Sequence, residues 1–533
     1  MKRKTLTTAV MAGLTGAAGM ISVANAVNVN PDGLGQVLLY PYYTARGGND
    51  TLISVVNTTS AAKAVKIRFL EALNSREVLD FNIYLSKFDV WTGAVTATDD
   101  GGAKLLVADT TCTAPYIFGQ GGEQEFLDFN YNADPVDTTG DGTEDFPGTK
   151  DGGPTGIERT ASGHFEIIEM GTIDEDSEVA EWVTHVDGVP ADCESVVDLW
   201  REPAGGPPAD ADGSPGSWLV DSRFGFDTDA GMTGGIFGGG AIIDINDGLM
   251  FSYNATALDS FWADSQPVFH EDPGNVDPSL TSSSNTVSNV FVADSADVDT
   301  NTWGQGILAV NAVLTLDQLM NEYNINAPIG AQTEWVLTYP TKAFHTDLGT
   351  RGNIIDPAVT EALPPFTDLW TNDEPYSCDE LTFDFWDREE GVEEPPPGEE
   401  GDVVVSPEPP PDAGVPERGF VLCRETNVIR FSNDDAELPA ETEIFGEPLR
   451  GDGFELLSYT NLNLPQGFNS GWVQFDFSNF ESFENVDGEI ITGLPIIGFR
   501  AQAFANDDIV GGVKANYAGT FQHRGTRQAA AQP

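Results

Sequence analysis

The chain has 533 residues, of which 85 are acidic and only 25 basic, a formal charge of −60 at pH 7. The acids are spread along the whole chain, so the surface repels nucleic acid and anionic lipid and neither is expected as a partner. The length allows roughly three domains of usual size. Glycine (57) and proline (33) are plentiful and long helical periodicity is almost absent, which points to strands and loops.

The first segment, residues 1–26, reads as an export signal. Lys2, Arg3 and Lys4 precede a modestly apolar stretch, and Ala24-Asn25-Ala26 supplies the small-x-small cleavage pattern, so the mature chain is expected to start at Val27. Export by the general secretory route to the periplasm, cell surface or exterior follows. No later run approaches the roughly twenty apolar residues of a membrane helix, and no transmembrane segment is expected.

Strand signals come next. In AVKIRF, Val65, Ile67 and Phe69 alternate with Lys66 and Arg68. In LDFNIYL, Leu79, Phe81, Ile83 and Leu85 alternate with Asp80, Asn82 and Tyr84. The same pattern returns near the other end, with Val473, Phe475 and Phe477 in WVQFDF and Ile497, Phe499, Ala501 and Ala503 in IIGFRAQAF. Such period-two patterns predict half-buried antiparallel strands. One helix is predicted over TLDQLMNEY, where Thr315 and Gln318 suit a capping box and Leu316, Leu319, Met320 and Tyr323 form a helical stripe.

Neither end has enough strands to bury its own apolar face. The expected fold class is therefore mainly β: an antiparallel, immunoglobulin-like β-sandwich built from residues 27–111 plus 420–533. Residues 112–419 would form a large, β-rich and loop-rich insertion. Within it, Gly391–Pro416 is too rich in proline and glutamate to build a core and is expected to be disordered.

Cys112, Cys193, Cys378 and Cys423 fit an oxidising compartment, and four cysteines allow three pairings. Pairing in sequence order, Cys112–Cys193 and Cys378–Cys423, is favoured because each bond then closes a loop-rich segment. No two cysteines are close enough in sequence for a C-x-x-C metal or redox motif.

The blocks GLGQVLLYPYYTARGGNDTLISVVNT, VKIRFLEALNSREVLDFNIYLSKFDVWTG, LTYPTKAFHTD and GLPIIGFRAQAF resemble a family of exported or cell-surface proteins of unknown function in Gram-negative bacteria. The likeness spans most of the mature chain, and its first block is the most specific. It implies export and one composite fold, and no catalytic residues.

Candidate sites rest on chemistry alone. In DTTGDGTED, Asp137, Asp141 and Asp145 alternate around Gly140 and Gly142, which let the chain curl, and Thr143 adds a carbonyl. That donor set suits calcium. It departs from an EF-hand, because Thr139 stands at the third position, Gly148 replaces the bidentate Glu, and Pro135 and Pro147 oppose flanking helices. His164 with Glu166, and His345 with Asp347, are weaker candidates for a transition metal. His185, His270 and His523 complete the histidines. GLGQVL precedes a strand and reads as a turn rather than a nucleotide loop. Tyr40, Tyr42 and Tyr43, with Trp91, Trp303, Trp335, Trp370 and Trp472, either fill the core or form a binding platform.

Three function classes follow. The one needing least invention is an acidic, non-catalytic surface or matrix protein for adhesion or assembly, stabilised by calcium, whose partners are other copies of itself or a surface polysaccharide. The alternatives are a carbohydrate- or ligand-binding β-sandwich module, which needs an exposed aromatic row, and a secreted hydrolase, which needs a concave pocket with convergent polar groups.

Overall fold

The computed structural model describes residues 25–134, 149–201, 215–292, 298–348, 360–388, 420–433, 438–448, 459–506 and 515–531. The protein is mainly β, with antiparallel sheets packed as sandwiches. The labels used below are β1 (Val37–Thr44), β2 (Asn49–Asn57), β3 (Lys63–Glu71), β4 (Glu77–Leu85), β5 (Val90–Ala97), β6 (Ser162–Thr172), β7 (Ile236–Asp244) and β8 (Leu249–Asn254). They continue with β9 (Gln318–Asn324), β10 (Ala331–Thr338), β11 (Asp379–Asp387), β12 (Thr426–Ser432), β13 (Ser470–Asp476), β14 (Ile497–Phe504) and β15 (Tyr517–Gln522).

Sheet I has seven strands in the order Asn28–Val29, Thr256–Asp259, β1, β6, β3, β4, Cys112–Ala114. Sheet II has six, in the order β8, β7, β2, β5, Ala103–Leu106, Glu123–Glu125. Sheet III runs Tyr459–Asn463, β12, β10, β14, β15, and sheet IV runs Phe420–Leu422, β11, β13, β9, Arg524–Thr526. Among the described residues of these sheets, the one parallel pair joins β12 to Tyr459–Asn463. Sheets I and II alone hold more strands than the seven to nine of a whole immunoglobulin domain.

The largest core lies between sheets I and II. Val65, Ile67 and Phe69 of β3 meet Phe81 and Ile83 of β4, and Ile53, Val55, Trp91 and Phe251 face them from sheet II. The same core takes in Val336 of β10 and Phe499, Ala501 and Ala503 of β14. The two ends of the chain thus share a core while sharing no sheet. The other face of β10 supplies Trp335 and Leu337 to a second core, opposite Leu319, Tyr323, Val473 and Phe475 of sheet IV. Strands β12, β10 and β14 of sheet III are therefore buried on both faces and belong to both sandwiches, while the edge strand β15 stays exposed. Strands from the middle of the chain enter both as well: β6, β7 and β8 the first, and β9, β10 and β11 the second.

Sheet I is also covered on its second face. One end packs against α1 (Gly306–Leu314) with Trp262 and Trp303. The other packs against the short helices Glu178–Val183, Cys193–Asp198 and Ser217–Val220. This is why every residue of β1 and β3 is buried. Lys66 and Arg68, which alternation alone would place in water, pair there with Asp80 (3.0 Å) and Glu77 (2.7 Å). Pro41 sits in the buried strand β1 without breaking the sheet, because the pairing with β6 shifts register between Gly163 and Phe165.

The helix predicted over Thr315–Tyr323 is corrected. Residues Gln318–Asn324 form the strand β9, and the helix α1 lies just before it. The stripe of Leu319 and Tyr323 also fits a period of two, and both side chains enter the second core while Gln318, Met320 and Glu322 turn outward. Antiparallel pairing to β13 over seven residues, Gln318↔Asp476 through Asn324↔Ser470, overrides the local helical preference. Gly391–Pro416 lies outside the described residues.

Both disulfides have the expected pairing, Cys112–Cys193 and Cys378–Cys423. They span 81 and 45 residues of sequence. Chain-entropy arguments give each about 4 kcal/mol, of which engineered bonds often deliver less. Non-reducing peptide mapping of the purified protein is expected to recover both bonds and no free thiol. Replacing Cys378 and Cys423 by serine is expected to cost about 2–4 kcal/mol in denaturant unfolding; an unchanged midpoint would contradict that role.

Candidate functional site

The densest chemistry in the fold is a seam of buried ions where the two sandwiches meet. It begins at the end of β3. The chain turns over residues 72–76, with Ser75 at a φ of 51°, and the Glu71 carboxylate sits inside the turn. It accepts the backbone N–H groups of Leu73 (2.7 Å), Asn74 (2.9 Å) and Arg76 (3.0 Å). The guanidinium of Arg159 donates to it as well (2.9 Å). Burial alone would lift the Glu71 carboxyl. Arg159 and the backbone donors outweigh that effect and hold it down at about 2.

Arg159 comes from the single turn Ile157–Ala161 that leads into β6. It grips Asp151 with both terminal nitrogens, at 3.0 and 2.6 Å, and lies 4.3 Å from the centre of the Tyr131 ring. Such bidentate pairing is strong and directional. Asp151 also accepts from Asn74 (3.2 Å), and its backbone carbonyl accepts the indole N–H of Trp370 (2.7 Å).

The second sandwich reaches into this cluster. Asp347, just past α2 (Lys342–Thr346), accepts from Asn74 (3.0 Å) and pairs with Arg76. Thr426 of β12 donates its N–H to the Ala72 carbonyl (3.0 Å), and its hydroxyl meets His164 Nδ1 (3.2 Å). Nearby, Lys342 pairs with Asp379 (2.8 Å), and the Tyr42 hydroxyl donates to Glu447 (2.8 Å). Burial lifts the Glu425 carboxyl well above the usual range, with Lys342 opposing and Glu71 adding. Burial pushes His164 down to about 4.

Chemically the seam is a lock. Its groups are withdrawn from water and turned on one another, so an ion left without its partner there would be costly. Sequence reading missed Glu71, Asp151 and Arg159, which lie far apart in the chain. The sole trace is that scarce basic residues, Arg68, Arg76 and Arg159, stand near buried strands in a chain with so few of them.

The candidates from sequence are placed as follows. Asp137, Asp141, Thr143 and Asp145 lie outside the described residues. His164 and Glu166 share β6 but serve different partners, since Glu166 pairs with Arg68. His345 packs among Phe344, Phe366 and Phe483 with Nε2 3.2 Å from Asn311 Oδ1, while Asp347 turns to Arg76. Neither pair forms the start of a metal site. Among the described residues no group of three or more His, Cys, Asp or Glu is arranged to hold a metal ion. His270 is enclosed by Tyr84, Trp200, Trp218 and Phe226, and its Nε2 lies 3.1 Å from the Tyr84 hydroxyl.

Tyr40, Tyr42, Tyr43, Trp91, Trp303, Trp335 and Trp370 are all buried and fill cores or the seam. Trp472 is half-buried on the outer face of sheet IV, stacked on its cross-strand partner Trp386 at 3.9 Å. An open groove of about 590 Å³ beside that sheet is lined by Glu361, Glu380, Asp476 and Glu481 with Phe366 and Phe480. Among the described residues no helix is long and apolar enough to cross a membrane. Compared with known proteins, the chain matches no family model, no curated protein and no solved structure.

Stability should respond to pH on both sides of neutrality. Burial pushes His164 to about 4 and His270 and His523 to about 3. Their neutral forms therefore favour the folded state above the unfolded value of about 6.5, and that stability is lost as pH falls toward those values. Glu334 has the opposite sign. Burial and the neighbouring Glu443 carboxylate push it up to about 8, against backbone N–H donation from Ile444 (2.7 Å) and Phe445 (3.2 Å). Its contribution is present at acid pH and is lost as pH rises through 8. The melting temperature is expected to be highest near pH 6–7, about the crossover of the two effects. Glu334→Gln is expected to leave the melting point at pH 5 unchanged and to add about 2–4 kcal/mol at pH 9; equal effects at both values would contradict the assignment.

Proposed function

We propose that the chain is an exported, non-catalytic surface or matrix protein that works in adhesion or assembly. The observation that carries this reading is where the fold places its most perturbed ionisable groups. Glu71, His164, Glu334, Asp379 and Glu425 are all buried within the two sandwiches and across the seam. An enzyme needs such groups at a solvent-accessible cleft. Here they support a rigid body whose acids otherwise clothe the outside. The two disulfides are compatible with an oxidising compartment. Calcium, held by Asp137, Asp141, Asp145 and the carbonyl of Thr143, belongs to the same reading, since the chain's self-repulsion at a charge of −60 favours bound cations.

Protease treatment of intact producing cells is expected to release peptides of this chain without lysis. Release only after the envelope is opened would overturn the surface assignment, and reducing ends generated from a polysaccharide by the purified protein would overturn the non-catalytic one. In the purified protein, calcium is expected to raise the melting temperature more than sodium at equal ionic strength, and Asp141→Ala to abolish the difference.

A further inference from the structure

Sheet I and the inner strands of sheet III are covered on both faces, but sheet II is not. Its inner face fills the main core, while its outer face carries Leu52, Val90, Phe237 and Met250 at 42, 45, 42 and 52% exposure. These side chains belong to adjacent strands and one surface. The register sets Phe237 beside Val56 and Val56 beside Val90 in one row, and Ala241 beside Leu52 and Leu52 beside Ala94 in another. A third row runs from Met250 of β8 through Ile243 of β7 to Asp50 of β2. Between the rows, Ser54 pairs with Gly239 and Thr92, so small residues lie diagonally next to the large ones.

The charge of this face is as informative as its apolarity. In a chain with 85 acidic residues, the rows through Phe237, Gly239 and Ala241 carry no charged residue across β7, β2 and β5, and Asp50 is the one acid in the row of Ile243 and Met250. Lys104, Glu123 and Glu125 stand on the strands beyond β5, with Lys104 paired to Glu123 (2.9 Å), and Asp109 accepts from the N–H and hydroxyl of Thr92. A basic partner would be drawn to the far more acidic remainder of the surface instead, and a face with a single acid has little with which to select it.

We propose that the outer face of sheet II is the contact between two copies of this chain, packed sheet on sheet about a two-fold axis. This deepens the assembly reading and rests on it for the identity of the partner. Two copies of so acidic a chain repel through their acids, so this face, with Asp50 alone at the end of β2, is where they can approach closely. Four strands about 4.8 Å apart and about 25 Å long give a footprint of roughly 500 Å² per copy. Closing it removes about 1,000 Å² or more in total, the lower bound for a specific interface. The alternation of large and small residues lets Leu52 and Phe237 of one copy settle over Ser54 and Gly239 of the other, at the usual sheet spacing of about 10 Å. A contact of this size between like-charged bodies is reversible and strengthens as salt screens the repulsion.

The test is sedimentation velocity of the full secreted chain from about 1 to 100 μM, in low and high sodium chloride. A monomer–dimer equilibrium is expected, with association at least about tenfold tighter at 0.5 M than at 0.05 M salt. Leu52→Glu and Phe237→Glu are each expected to weaken it at least about tenfold. Val220→Glu, at an apolar residue 74% exposed outside this face, is expected to leave it unchanged. Circular dichroism melts check that the variants fold. A monomer at every concentration and salt, or a dimer indifferent to Leu52→Glu and Phe237→Glu, overturns the proposal. A monomer that protease still strips from intact cells leaves the surface reading standing and sinks this one alone. Vesicle binding lost in the same variants would assign the face to lipid and also overturn it.

Discussion

The structure depends on the ion triad Glu71–Arg159–Asp151. Arg159 is almost fully buried, and each carboxylate it holds anchors something else: Glu71 fixes the turn after β3, and Asp151 holds Asn74 and the Trp370 indole. Through Asn74 and Arg76 that turn holds Asp347, which comes from the second sandwich. The cost of burying these ions is large, and what offsets it is the pairing of Arg159 with both carboxylates and the three backbone N–H groups on Glu71, although Arg159 Nε and Asn74 Oδ1 find no partner among the described residues. A seam of this kind contributes less to net stability than an apolar contact of equal size would. Its strength lies in specificity, since a small misplacement strands a charge.

Around the seam, sheet III does the rest of the joining. Its two faces feed different cores, with Val336 and Phe499 on one side and Trp335 and Leu337 on the other. Neither sandwich can close without it. The disulfides stand on either side of the seam, one clasping the helices that cover sheet I and one closing the stretch between β11 and β12. The outcome is a body with a network of buried ion pairs inside and an exposed, largely apolar outer face on sheet II.

Much of this was legible in the sequence, and the limits have physical causes. Period-two alternation located β3, β4, β13 and β14, because each has a face in a core. It misjudged the second face: Lys66 and Arg68 look solvated but lie under the 270–283 segment, and pairing between distant segments leaves no periodic trace. The stripe at Leu316, Leu319, Met320 and Tyr323 read as helix because periods of two and 3.6 overlap over eight residues. Only pairing with β13 decided for a strand. The histidines were singled out for scarcity, which says nothing about burial. The seam was invisible, since Glu71, Asp151 and Arg159 look like any acids and bases in an acidic chain. The uncharged rows of sheet II become informative only once register sets Leu52 beside Ala241 and Ala94.

Removing the central cation tests this account most directly. In Arg159→Met the two carboxylates remain buried without their guanidinium. The expected loss is about 3–5 kcal/mol in denaturant unfolding, against about 0–1 kcal/mol for Arg430→Met, whose partner Glu443 is partly exposed. Hydrogen exchange in β11 and β13, strands of the second sandwich remote from Arg159 in sequence, is expected to accelerate in the first variant and not in the second. If Arg159→Met instead unfolds like Arg430→Met, with exchange in β11 and β13 unchanged, the seam is not what holds the two sandwiches together.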